Sequence, residues 1–452
     1  MKLKLSKSLA FVLALGSLAS CDLDLSSSSA LLSSVPDSSV DSSISSSLEA
    51  AGLTFVQSKR EASSSPKLSQ SATTIYKAFY RNTAPLALSG EDQTKSYSVF
   101  DAFVNFAMLA YFSEGEAQEK LLPLFDIDDP SGLPEAVRQL TWALGTPIKR
   151  RLRDSAEKVP QGGYSANSVW YDAGLLTPRS DKEGEAAFED LRDSFYASLF
   201  PSRPTGAKIQ HWLEQTLPEG YDIPTIPGDS DSDAALVSSY FLKIPNPYRE
   251  DAKWIYEEGH NRLDYTFDEK TIRSGYTNYH SIYGGAYFES DNLLGGTNGD
   301  YGLSVFLPKD ESALPSSIRD EVIGETYTTK RNYGHYDVTI PYFAIDKQEL
   351  SLNQLFAPKI GDALRHRVCQ KLFEKELLVD AIKQYSKLSF DYDGFYSASV
   401  TVSWLVGSAA PVEDTPFQLI VNRPFFFRES ISVGGENLPV VVGEIIDPGY
   451  EK

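Results

Sequence analysis

Two hydrophobic periodicities alternate along the chain. From Thr73 to Asn82 apolar residues recur at helical spacing, with Ile75, Phe79 and Tyr80 on or near one face, which predicts an amphipathic helix. From Phe100 to Tyr111 nearly every position is apolar, so this helix is predicted to be buried all round. The C-terminal part changes period. Leu388 to Asp393 predicts a strand, Gly394 a hinge, and Phe395 to Val406 a second strand, with its strongest β-propensity in Val400-Thr401-Val402-Ser403-Trp404-Leu405-Val406. The apolar run from Pro439 to Ile446 pairs, through a turn at Gly434 to Asn437, with Pro424-Phe425-Phe426-Phe427, and both strands are predicted to be buried on two faces.

The N-terminus follows other rules. Lys2, Lys4 and Lys7 precede an apolar run from Leu9 to Leu18, too short to span a bilayer as a helix, which ends in Leu18-Ala19-Ser20-Cys21. These are the parts of an export signal, over residues 1–20, and the final four residues resemble a bacterial lipobox. That resemblance implies cleavage before Cys21, lipidation of Cys21, and a product anchored to the cell membrane and facing outside the cytoplasm. The alternative is an ordinary signal peptide whose apolar run happens to end in cysteine. Ser26 to Ser47 is dominated by serine, and a second cluster lies at Ser63-Ser64-Ser65. Such a tract buries too little apolar surface to offset ordering entropy, so residues 21–70 read as a flexible tether and 71–452 as the folded body.

Composition narrows the function. A formal net charge of −20, from 62 acidic and 42 basic residues, repels nucleic-acid phosphates, so nucleic acid is not expected as a partner. The two cysteines, Cys21 and Cys369, form no CxxC or Cys/His cluster, which leaves neither a disulfide framework nor a zinc site, and Cys369 reads as a buried apolar residue.

Several segments, in chain order, resemble the serpin family of protease inhibitors. The helix around Phe100 to Tyr111 is similar to the family's central helix, although Ser98-Val99 stands where the family has Ser-Pro. Ala166-Asn167-Ser168-Val169-Trp170 resembles the family's Ala-Asn-Ser-Leu-Trp strand, Tyr196-Ala197 its Tyr-x-Ala, and Ile209-Gln210-His211-Trp212-Leu213 its Ile-Asn-x-Trp-Val segment. Ala235 to Phe241 resembles the Leu-Val-Asn-Ala-Ile-Tyr-Phe strand, but Leu242 to Pro247 lacks the Lys-Gly-x-Trp that follows it in the family. Tyr301 to Pro308 and Val338 to Phe343 look like two further family strands. The resemblance implies an α+β serpin-like fold: a large mixed β-sheet, smaller sheets, about eight or nine helices and a mobile reactive loop. It also implies a monomer that is not an enzyme, needs no cofactor or metal, and has a serine protease as its partner.

Within the resemblance, Gly394 is the proximal hinge, and the residues after it form a loop that inserts into the large sheet once a protease cuts it; strand addition of this kind is a general recognition mode for which serpins are a standard example. Alternation puts Phe395, Ser397, Ser399, Thr401 and Ser403 on one face of the inserted strand, with no charged residue among them to be buried at a cost. Family spacing sets the scissile bond near Ser408-Ala409, within Leu405 to Pro411 because the loop is longer than usual, and the small residues Gly407 to Ala410 suit an elastase- or subtilisin-like pocket. Inhibitory members usually carry a small or β-branched residue where Phe395 stands, so a bulky ring entering first is expected to slow insertion and favour simple cleavage. An ordinary long strand and loop, a non-inhibitory serpin-fold binding protein and a carbohydrate-handling surface lipoprotein are the alternatives.

Other constellations carry less. Asp229, Asp231 and Asp233 alternate like a calcium loop, but Ala234 and Tyr240 stand where its glycine and closing glutamate belong. Gly295 to Asp300 reads as a hairpin turn, Arg365-His366-Arg367 as a solvated helix face, and there is no HExxH or GxSxG.

Overall fold

The computed structural model describes residues 67–144, 162–217, 223–227, 232–245, 260–262, 265–267, 271–277, 280–284, 287–290, 301–324, 330–333, 336–341, 343–391, 394–397, 417–433 and 436–447. Among these are nine α-helices, none long and apolar enough to cross a membrane. There are sheets of seven, six, three and two strands, so the architecture is α+β.

Two sheets enclose the core. The seven-stranded sheet runs Lys95–Ser98, Glu436–Ile445, Phe425–Val433, Tyr301–Pro308, Tyr287–Ser290, His280–Gly284, Lys330–Tyr333. Its Phe425–Val433 and Glu436–Ile445 strands pair antiparallel and are buried along almost their whole length; their apolar stretches predict this, but the burial also takes in Arg428, Glu429 and Glu444. The six-stranded sheet runs Phe343–Ser351, Lys383–Asp391, Gly394–Ser397, Ala234–Pro245, Gly162–Tyr171, Ala197–Phe200, and all its neighbours are antiparallel except the last pair.

The predicted central helix extends from Val99 to Phe112 and buries Phe100, Phe103, Phe106 and Phe112 completely. Phe79 of the Gln70–Ala87 helix meets Phe103 edge-on at 5.5 Å and stacks on Phe125 at 5.1 Å, so an aromatic seam holds these helices against the sheets. The first helix starts at Gln70 because Ser69 caps it, accepting from the Ala72 N–H at 3.2 Å. It runs past the predicted end at Asn82 to Ala87 and takes in Pro85, since Ala84, Ala87 and Leu88 are all buried. On the outer face of the six-stranded sheet, Trp212 and Ile209 of the Gly206–Thr216 helix close a second cluster with Trp170, Phe200 and Phe241; Trp170 and Phe200 stack at 4.0 Å.

Among the described residues Lys95, Arg423, Arg428, Glu429 and Glu444 are buried, and an ion cluster forms around the last of these. Glu444 accepts from Arg319 at 2.6 Å and lies 3.7 Å from Lys95, with Glu444 and Lys95 essentially without exposure. The Arg365-His366-Arg367 cluster is not a helix face: it leaves a short 3-10 turn, and His366 Nε2 lies 3.0 Å from Glu116 and from Lys120 Nζ, while Arg367 pairs with Glu376. The partners of His366 come from a distant segment, which local periodicity does not reveal. Asp233 pairs with Lys375 at 2.9 Å, whereas Asp229, Asp231 and Gly295 to Asp300 lie outside the described residues.

Candidate functional site: the hinge and the strand cleft

Gly394 to Ser397 forms a short strand in the interior of the six-stranded sheet. On one side Gly394, Phe395, Tyr396 and Ser397 pair with Asp391, Phe390, Ser389 and Leu388; on the other they pair with Pro245, Ile244, Lys243 and Leu242. Both pairings are antiparallel, so the hinge turns the chain back on the strand that feeds it and seats it at once against the Ala234–Pro245 strand.

Phe395 is 1% exposed. Its ring lies 6.2 Å from Phe343, 6.4 Å from Phe390 and 6.4 Å from Phe427, which belongs to the opposite sheet. Phe343 itself packs on Phe390, Phe425 and Phe427 at 5.3, 5.6 and 5.5 Å, so Phe395 is one member of an aromatic nest bridging the two sheets. Phe427 finds room because residue 443 is glycine: a Cβ there would fall 2.4 Å from the Phe427 ring and 2.5 Å from the Lys95 carbonyl.

The two flanking strands continue past Ser397, one to Ala234 and the other to Lys383. Each pairs with one hinge-strand edge above, so they stand two strand spacings apart, about 9.5 Å. Among the described residues, Ala234–Ser239 and Lys383–Ser386 are not paired with each other. A cavity of about 830 Å³ lies here, lined by both strands, by Asp101 and Asn105 of the central helix and by Ile209 and Leu213 of the covering helix. Strand edges that face a cleft carry N–H and C=O groups whose natural complement is another strand.

The inner wall of this cleft is polar. Gln384 donates to the Ser98 carbonyl at 2.8 Å and to Asp101 Oδ1 at 3.1 Å, and accepts from the Ser98 N–H at 2.9 Å. Asn105 donates to the Leu236 carbonyl at 3.1 Å, tying helix to strand. The hydroxyls of Ser238 and Ser386 are buried and make no hydrogen bond among the described residues. Burial pushes the Asp101 carboxyl up to about 7, against the opposing pull of the Ala102 N–H and the Gln384 amide, although the side chain keeps some exposure to the cleft. At the far end Cys369 is 4% exposed, and burial pushes its thiol up to about 12, which makes it an inert apolar residue. Among the described residues no group of His, Cys, Asp and Glu is arranged to hold a metal ion.

Of the residues marked in the sequence, Gly394, Phe395 and Ser397 therefore lie in one strand, with Phe395 facing the core. Ser399, Thr401, Ser408, Ala409 and Cys21 lie outside the described residues. Asp101, Gln384, Ser238 and Ser386 escaped the sequence reading. A signal for one of them existed: Asp101 is an acid inside a helix otherwise apolar nearly all round.

No protein-family model matches the sequence, and no curated protein matches it. Solved structures do. The chain is similar to the thermophilic serpin Tengpin in its native state, with a TM-score of 0.61 at 14% identity, covering 87% of this chain and 99% of that one. Serpin48 from the insect Tenebrio molitor aligns with a TM-score of 0.58 at 14% identity over 83% of this chain and 98% of its own. Arabidopsis AtSerpin1, in its native stressed conformation, gives 0.55 at 14% identity over 85% and 100%. With nearly the whole length of each of these structures matched, and with a hinge strand seated in the large sheet, the fold of this chain is the serpin fold.

Proposed function

We propose that the chain is a serpin-type suicide inhibitor of serine proteases, anchored to a membrane through lipid on Cys21. The observation that carries this reading is the hinge strand, which is paired on both edges while the strands beside it continue past Ser397 along a cavity that both of them line. In the inserted state, continuing both registers would bring Ser399 between Tyr240 and Ser386, Thr401 between Ser238 and Gln384, and Ser403 between Leu236 and Ile382. The alternation that turns Phe395 into the core would, on insertion, turn a row of hydroxyls toward the polar wall, where the buried Ser238 and Ser386 hydroxyls have use for partners.

The protease serine attacks the scissile carbonyl near Ser408-Ala409, the peptide C–N bond breaks, and the amine leaves with the proton delivered by the protease's histidine. The chain is then esterified to the protease through the loop. The freed loop adds as a strand, its N–H and C=O groups replace the missing ladder, and the protease is carried with it, so that water no longer deacylates the distorted enzyme. Cysteine proteases would form the corresponding thioester. The small residues Gly407 to Ala410 favour an elastase- or subtilisin-like target over a trypsin-like one. Nothing in this scheme needs a cofactor, and one copy of the chain suffices.

The test is incubation of the full chain with elastase, subtilisin and trypsin, followed by a denaturing gel. A covalent adduct of the combined mass with elastase or subtilisin supports the reading; cleavage near Ser408 with the protease left fully active sinks it. Lipid at Cys21 is tested separately, by incorporation of labelled fatty acid that a Cys21→Ser variant loses.

A further inference from the structure

Phe395 occupies a place where its size can act in either of two ways. A bulky residue that has to enter the sheet first is an obstacle, whereas one already seated is an anchor. The ring is buried to 1% exposure in a nest of Phe343, Phe390 and Phe427, and its strand is paired on both edges. Withdrawing the hinge would return the whole ring to water, open a cavity between the two sheets and break both short ladders together.

We infer that Phe395 pins the hinge in the sheet, so that loop insertion starts from a preformed strand and the chain partitions toward trapping its protease. The inference rests on the inhibitory reading above and reverses the expectation that the ring slows insertion. Its physical basis is nucleation. The costly part of adding a strand is fixing the first residues before the next pairings reward them, and here Gly394 to Ser397 are fixed beforehand. What remains after cleavage is propagation along two edges that already flank the hinge strand. Phe395 touches neither the protease nor the scissile bond; it acts as a positioning residue.

The experiment compares the full chain with Phe395→Ala and Phe395→Leu variants, using whichever protease forms an adduct with the unaltered chain. Two quantities are read: the moles of chain consumed per mole of protease blocked, and the rate of loop cleavage. Phe395→Ala is expected to raise the consumption ratio about fivefold or more with the cleavage rate within about twofold, because only the step after acylation is slowed. Phe395→Leu, which keeps most of the buried volume, recovers most of the loss. An unchanged or lower ratio in Phe395→Ala overturns the inference. Hydrogen exchange at the amides of Phe395 to Ser397 reads the anchor without any protease: these amides are expected to open about a hundredfold more often in Phe395→Ala. Should the unaltered chain form no adduct, the inhibitory reading fails on its own, while exchange still decides the anchor; equal exchange in both chains overturns it.

Discussion

Replacing Asp101 by asparagine should stabilise the protein, and increasingly so as the pH rises. The carboxyl stands at about 7 in the folded chain against an ordinary value of 3.8, chiefly because burial disfavours its charge. The sign follows from proton counting. Below 3.8 both folded and unfolded chains hold the proton and the residue costs nothing. Between 3.8 and about 7 the folded chain keeps a proton that the unfolded chain has released, so stability falls as pH rises; above about 7 the full penalty is expressed and the dependence flattens. At about 1.36 kcal/mol per pKa unit, the penalty at pH 8 is at most about 4 kcal/mol, and about 2 to 3 kcal/mol of it develops between pH 5 and pH 8. Water reaching the carboxyl from the cleft reduces both figures. Asparagine keeps the oxygen that accepts from Gln384, so the helix-to-strand tie survives the change. The assay is urea unfolding of both chains at several pH values between 5 and 8, comparing midpoints at equal slope. Taking the difference between the two chains cancels other titrating groups, including Glu429, which burial also raises. A difference that stays constant across this range would falsify the reasoning.

Three further outcomes follow from the packing. Glu444→Leu leaves the buried Lys95 and the partly buried Arg319 beside an apolar side chain and should cost about 3 to 5 kcal/mol in chemical unfolding; a loss under 1 kcal/mol would mean that water serves these cations. Gly443→Ala drives a methyl into the Phe427 ring and the Lys95 carbonyl and should cost about 1 to 3 kcal/mol, with faster exchange at the hinge amides because Phe427 packs on Phe395; hinge exchange equal to that of the unaltered chain would separate the two sites. Cys369 should resist a neutral thiol reagent at pH 8 until the chain unfolds, since its thiol is buried and raised to about 12; rapid labelling of the folded chain would show that the cleft end opens.

Much of the fold was legible because its strongest signals are local. The Val99–Phe112 helix is apolar nearly all round, and the Phe425-Phe426-Phe427 and Val440-Val441-Val442 runs mark two strands as buried without reference to a partner, although the first strand also buries Arg428 and Glu429, which no apolar run announces. Alternation likewise grouped Phe395 with Ser397 on one face, and the structure shows Phe395 buried in the core. The nest around its ring is another matter. It joins Phe343, Phe390 and Phe427 from three strands, and no single stretch of sequence shows that a bulky hinge residue has a place waiting for it. The polar wall of the cleft was hidden for the same reason, because Asp101, Ser238 and Gln384 come from a helix and two strands far apart in the chain. The Arg365-His366-Arg367 cluster was misread as a helix face since the partners of its His366, Glu116 and Lys120, lie in a distant helix.

The central claim is that the loop after Ser397 adds as a strand between Ala234–Pro245 and Lys383–Asp391. Its most direct test is to cut the full chain once between Leu405 and Pro411, inactivate the protease, and compare the thermal unfolding of cut and intact chains. Strand addition completes the ladder and buries the hydroxyl row against the polar wall, so the cut chain is predicted to melt far above the intact one. A cut chain that melts at or below the intact temperature would contradict the account.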